Sequence, residues 1–334
     1  LSFPDNPSVL TEPLAAGREF LRRLQGAKRV LVAVSGGSDS TGVLLAFHEL
    51  LQEPEFASFQ LLAVTVDHDL RAESAGEAQQ VARLCRALNI VHQIKHWQGH
   101  KPKSGLSDAS RQARYQLLSE AARALSADVI LLGHNAGDQR ETIAMRSARS
   151  LDTDAYGLSG MAEATLIDRH IWACRPFLKV ERDTIRDYLK ARGQAWIDDP
   201  SNDNPAYERV RLRRAGAEQL SSLDSGAAAQ RTAASQQAAG FVDRFVMRHD
   251  HGLISVQRGA LLEHPDAAQY ALSYLAAIVG GQAYPMAKEQ LTRLTTLASK
   301  TGNARINAHR VLFDLRKDRL FLCRELRNLP QPMV

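Results

Sequence analysis

One stretch limits the fold more than any other. Residues 28–51, KRVLVAVSGGSDSTGVLLAFHELL, run from a β-branched, aliphatic segment through Ser-Gly-Gly-Ser-Asp-Ser straight into an apolar helical pattern. A strand that ends in adjacent glycines and restarts as a helix brings backbone N–H groups and a helix N-terminus to one small space, the setting in which anions bind. Gly36 and Gly37 let the chain turn sharply and approach a phosphate, while Ser35, Ser38 and Ser40 carry hydroxyls able to donate to its oxygens. Asp39 would repel a bare phosphate, so its place in the loop implies a metal ion between the two. The plainer alternative is an N-capped helix after a tight βα turn. Two common nucleotide loops are excluded: no lysine follows the glycines as in Gly-x-x-x-x-Gly-Lys-Ser/Thr, and Gly-x-Gly-x-x-Gly is absent.

Around this unit, strands alternate with helices. Aliphatic runs at 29–34, 60–66, 90–96 and 128–132 read as buried strands, and helical patterns fall at about 40–51, 74–88 and 107–125. Leu10, Leu14, Leu21 and Leu24 add an amphipathic helix at the start. Repeated βα units predict a parallel sheet covered on both faces. A helix is expected from Asp138 to about residue 150, a strand over 166–173, and a helix over 181–192 stopped by Gly193. Beyond residue 215 the texture turns Ala/Gln/Ser-rich and helical, with helices near 266–279 and 286–297 and a hairpin pairing 310–315 with 319–324. Two domains are therefore expected, 1–214 and 215–334.

Composition narrows the partners. The net charge is +5, and residues 215–334 hold 14 Lys/Arg against 10 Asp/Glu, a mild basic bias compatible with a polyanion. No apolar run is long enough to cross a bilayer and nothing resembles a signal peptide, so no membrane partner and a cytoplasmic location are expected. Cys85, Cys174 and Cys323 lie far apart, which suits a reduced compartment and argues against a zinc finger or a disulfide framework. The three tryptophans, Trp97, Trp172 and Trp196, are read as core.

The Ser-Gly-Gly-Ser-Asp-Ser loop resembles that of the PP-loop ATP-pyrophosphatase family, whose members cleave ATP to AMP and pyrophosphate. Further blocks follow in order: VDHDLRAES (66–74), ASRQARYQLL (109–118), GHNAGDQRET (133–142), CRPFLKVERDTIRDYL (174–189) and DDPSNDNPAYERVRLRR (198–214). Together, over 28–214, they closely resemble the tRNA(Ile)-lysidine synthetase branch. Two positions depart from its pattern: Gly137 stands where an aspartate often precedes Asp138, and Val210 follows Arg209 where an asparagine is usual. The resemblance implies an α/β fold, a doubly wound, Rossmann-like parallel sheet, with a smaller, mainly helical C-terminal domain that holds tRNA. It implies ATP and Mg²⁺ as cofactors, and as partners free lysine and an isoleucine tRNA with a CAU anticodon. Whether the chain forms a homodimer stays open. Alternatives are another PP-loop tRNA modifier, or a non-catalytic nucleotide-binding protein.

Residue roles implied by the resemblance follow its blocks. Asp39 and Asp138 are the expected metal ligands, and these two with His134 and Arg209 form the expected catalytic set. Residues 35–40 with Asp67, His68 and Gly133 are expected to bind ATP. Arg111 and Arg114, three apart on one helix face, and Arg211 and Arg213 are expected on phosphate or RNA, although a solvated helix face would look the same. Glu141, three residues past Asp138, is the candidate for the lysine ammonium.

Overall fold

The computed structural model describes residues 12–24, 26, 28–99, 101–102, 104–149, 160–198, 227–282, 284–299 and 302–325. The chain divides into two compact units, 1–225 and 226–334. The boundary expected near residue 215 lies outside the described residues.

The first unit is built on β1 (Arg29–Ala33), β2 (Gln60–Asp67), β3 (Val91–His96) and β4 (Val129–Leu132), all parallel, with β6 (Ile171–Cys174) parallel to β4 and β5 (Ala164–Ile167) antiparallel at the edge. Sheet order is β3-β2-β1-β4-β6-β5. Strand side chains alternate between two cores. Val30 and Val32 pack with Leu44, Phe47, Phe177 and Ile185 on one face; Leu31 and Ala33 pack with Leu62, Leu118 and Ile130 on the other. Helix α2 (Ser38–Leu50) is buried along most of its length, which explains its near-continuous apolar sequence. Phe47, wholly buried near its C-terminal end, contributes about 2–3 kcal/mol by burial alone. Helices α1 (Pro13–Arg23), α3 (Ser74–Ala87), α4 (Leu106–Ala124), α5 (Ala136–Arg149) and α6 (Arg182–Lys190) complete the layers.

Three expectations change. β3 is a half-exposed edge strand rather than a buried one, because among the described residues no strand covers its far side. The single strand expected over 166–173 is a hairpin, β5 and β6, reversing at Asp168 and Arg169, whose φ angles are 50° and 51°. Trp172 is 42% exposed on β6 and is not core, since its register partners put Ala173 and not Trp172 into the packed face.

In the second unit, α7 (Ala227–Phe245), α8 (Arg258–Glu263), α9 (Pro265–Gly280) and α10 (Lys288–Ala298) hold more of the described residues than the strands do. The expected hairpin is present as β10 (Val311–Leu315) and β11 (Arg319–Arg324). It belongs to a five-stranded antiparallel sheet, β7-β8-β11-β10-β9, completed by β7 (Val246–Arg248), β8 (Ile254–Gln257) and β9 (Ala304–Ala308). Val311, Phe313, Leu320 and Leu322 seal one face of it against Leu272, Ala276 and Leu294 of the helices. Among the described residues no helix is long and apolar enough to cross a membrane.

Candidate active site at the carboxyl edge of the parallel sheet

Strands β1, β2 and β3 build outward in one direction, and β4 returns to the other side of β1. Between the carboxyl ends of β1 and β4 the chain order reverses, which opens the crevice where doubly wound sheets bind ligands. The loops after these two strands touch there. A Cβ on Gly133 would lie 2.7 Å from the Ser40 nitrogen and 2.8 Å from its Cα, so only glycine lets the β4 loop reach the start of α2. Gly36 has φ +91°, and a Cβ there would sit 2.6 Å from Ile197 Cδ1. The Ile197 N–H donates to the Gly36 carbonyl at 2.9 Å, closing residues 196–198 over the glycine loop.

Gly37 precedes α2, and among the described residues no side chain caps that helix. Its first-turn N–H groups therefore remain available to an anion. Ser35 is the exposed hydroxyl of the loop. Ser40 does something not expected from the sequence: it accepts from the Ser35 N–H at 3.1 Å and donates to the Gly37 carbonyl at 3.2 Å. In this structure that hydroxyl braces the loop. Ser38 is buried beside Asp39, its Oγ 3.4 Å from Oδ1.

Asp39, in the first turn of α2, and Asp138, in the first turn of α5, converge on one cation. Arg182 Nη2 lies 3.2 Å from Asp39 Oδ2 and 3.7 Å from Asp138 Oδ1. Burial pushes the Asp39 carboxyl above the usual carboxylate range, against the pull of Arg182, and the charge of Asp138 adds to the rise. Asp138 is held by a reciprocal pair: its Oδ2 accepts the Asn135 N–H, and Asn135 Oδ1 accepts the Asp138 N–H, both at 3.0 Å. Asn135 itself is wholly buried. Glu141 is buried on the same helix and its charge reaches Arg182. His134 is half-buried between Gly133 and Asn135.

At the end of β2, Asp67 is buried and accepts the Asp69 N–H at 2.9 Å, with His96 Nδ1 3.4 Å away. Its carboxylate shapes the loop. The His68 ring meets Trp97 edge-on at 5.8 Å; burial and then the charge of Arg114 hold its imidazole below the usual value, so it is neutral at pH 7. Arg111 and Arg114 part company. Arg111 is exposed and lies over the Tyr115 ring at 5.1 Å, whereas Arg114 is half-buried and feels the charges of Arg175 and Asp138. Arg209, Arg211 and Arg213 lie outside the described residues.

Arg182 is the site residue that sequence reasoning passed over. It stands inside the block 174–189 but at the first position of a helix, where a charged side chain ordinarily signals only solvent. The cysteines carry no comparable feature: burial pushes the Cys85 thiol up to about 12 and the Cys174 thiol up to about 11, leaving neither poised as a nucleophile.

Comparison with known proteins agrees with this geometry. The PP-loop domain family matches residues 12–220. A tRNA(Ile)-lysidine synthase from Rhizobium meliloti is 43% identical over 327 residues, covering 95% of this chain and 72% of the relative. One from Mesorhizobium japonicum is 40% identical over 330 residues, covering 96% and 72%. Among solved structures, a tRNA thiolase from Methanococcus maripaludis superposes with a TM-score of 0.53 at 14% identity, over 66% of this chain and 77% of that one, a likeness of fold alone.

Proposed function

The chain belongs to the tRNA(Ile)-lysidine synthase family of PP-loop proteins, and from that premise we propose how its carboxylate-lined crevice works. The reaction is ATP-dependent formation of lysidine on tRNA(Ile). A relationship of this extent disfavours both another PP-loop tRNA modifier and a non-catalytic nucleotide binder. The observation that carries the chemistry is the meeting of Asp39 and Asp138, in the first turns of the helices that follow β1 and β4, beside a helix N-terminus that no side chain among the described residues caps.

ATP lies across the glycine loop, with its β- and γ-phosphates on the first-turn N–H groups of α2 and the Ser35 hydroxyl. Asp39 and Asp138 fit Mg²⁺. Among the described residues no group of three or more His, Cys, Asp and Glu could hold a metal, so two carboxylates suit an ion that completes its shell with water and phosphate oxygens. When bound, Mg²⁺ supplies neutralisation of the triphosphate charge. The wobble cytidine of a CAU anticodon leaves its stack to reach the crevice, and its 2-carbonyl oxygen attacks the α-phosphorus. The bond to the leaving pyrophosphate breaks, and the glycine loop retains that product. His134, at the mouth of β4, donates to the α-phosphate as charge builds there. The neutral ε-amine of lysine then attacks C2, loses a proton, and AMP departs with the carbonyl oxygen. The second unit holds the body of the tRNA through its phosphates, with Arg111, Arg114, Arg209, Arg211 and Arg213 nearer the reacting nucleotide. The setting is the cytoplasm, where ATP, lysine and tRNA meet.

Pyrophosphate release tests the first step. In a single turnover it should require tRNA(Ile) and proceed without lysine; release at the same rate without tRNA contradicts the scheme. Glu141 is assigned to the lysine side chain because it is buried one turn beyond Asp138. Glu141→Gln should raise the KM for lysine several-fold while changing that for ATP little. Lysine reacts as its neutral form and titrates near about 10.4, so turnover at limiting lysine should climb from about pH 7 to 9. Equal increases in both constants remove Glu141 from the lysine site.

A further inference from the structure

Arg182 is held in place with more care than a surface cation needs. It opens α6, where a positive charge meets the unfavourable end of the helix dipole. The residue before it, Glu181, accepts two hydrogen bonds from Arg140 of α5, at 2.6 and 2.8 Å. The Ala136 N–H, at the start of α5, donates to the Val180 carbonyl at 3.0 Å. Segment 180–182 is therefore tied to the same helix turn that carries Asp138, and Arg182 is delivered between the two aspartates. One nitrogen, Nη2, serves both carboxylates, while Nε is buried with no hydrogen-bond partner among the described residues.

That arrangement resembles a cation in waiting. Two half-buried carboxylates repel each other and need a positive charge between them whenever no metal is bound. A divalent ion entering alone would have to displace a fixed guanidinium and would find no third carboxylate, histidine or cysteine among the described residues. An ion entering on ATP brings phosphate oxygens that serve both parties: they complete the metal shell, and they offer acceptors to a planar guanidinium whose donors are not all in use.

We propose that Arg182 is the resident counter-cation of the Asp39–Asp138 pair, excluding divalent metal from the nucleotide-free crevice and passing to the phosphates when ATP brings the metal in. The proposal rests on the reading of these aspartates as the Mg²⁺ carboxylates. It makes Arg182 a phosphate contact in the loaded state and orders the binding: metal enters with nucleotide and not before it.

Mn²⁺, titrated into the full-length protein and followed by its electron paramagnetic resonance signal, reads this without turnover. Without nucleotide, the parent and Arg182→Lys should bind Mn²⁺ weakly, and Arg182→Gln at least about tenfold more tightly, since a unit charge a few ångströms away has gone. A non-hydrolysable ATP analogue should bring Mn²⁺ into the parent. Equal Mn²⁺ affinity in the parent and Arg182→Gln overturns the proposal. So does a parent that binds Mn²⁺ as tightly without nucleotide as with it, a measurement that stands even if the glutamine variant fails to fold. Tight binding in Arg182→Gln that survives an added Asp39→Asn overturns the aspartate reading itself, and the proposal with it.

Discussion

Asp39→Asn should leave a folded protein whose melting temperature at pH 7 equals or exceeds the parent's, while adenylation of tRNA falls by about a hundredfold to a thousandfold. The two halves of that result have one cause. Burial raises the Asp39 carboxyl pKa in the folded state. A raised carboxyl binds its proton more tightly when folded, so its contribution to stability is fully present below the unfolded pKa and is lost as pH rises through the folded pKa. At pH 7 the ionised group is a net cost, carried for its function. Asparagine keeps the shape and removes both that cost and the repulsion from Asp138, but it also removes the charge proposed to face metal and triphosphate. Differential scanning calorimetry from pH 4 to 8, beside single-turnover pyrophosphate release, checks both. Turnover within threefold of the parent would show that Asp39 has no part in holding the metal.

Residues 1–225 alone should bind ATP like the parent but bind tRNA at least about a hundredfold more weakly at 0.1 M salt. Charge is the reason. Residues 226–334 hold 14 Lys/Arg against 8 Asp/Glu, while residues 1–225 hold 28 against 29, so the whole net positive charge lies in the second unit. The crevice proposed for ATP, in contrast, is assembled from the first unit. Affinity of the full chain should fall steeply with added salt as counterions compete for the phosphates. A truncation that binds tRNA as well as the parent, or an affinity indifferent to salt, places the tRNA contacts elsewhere.

The parallel sheet was legible because aliphatic strands alternate with helical patterns, and β1 and β4 are closed off by glycine, at Gly36–Gly37 and Gly133. The proximity of Asp39 and Asp138 was legible because each sits in the first turn of a helix that follows such a strand, and the strand order then brings the two helix starts together. Arg182 was not, since its meaning depends on tertiary ties through Glu181 and Val180 that no spacing announces. The β5–β6 reversal was hidden for a local reason: Asp168 and Arg169 adopt left-handed angles without glycine, so the turn carries no usual marker. Of the second sheet only the β10–β11 hairpin was legible; β7, β8 and β9 run three to five residues, too short for alternation to stand out from the helices around them.

The nucleoside product decides the central point. The full chain is incubated with ATP, Mg²⁺, lysine and an isoleucine tRNA bearing a CAU anticodon, and the tRNA is digested and weighed by mass spectrometry. The expected result is a wobble cytidine heavier by one lysine less one water, with one AMP and one pyrophosphate formed per modified nucleoside. A cytidine carrying sulfur or ammonia with lysine ignored, or ATP cleaved with the nucleoside unchanged, would contradict it.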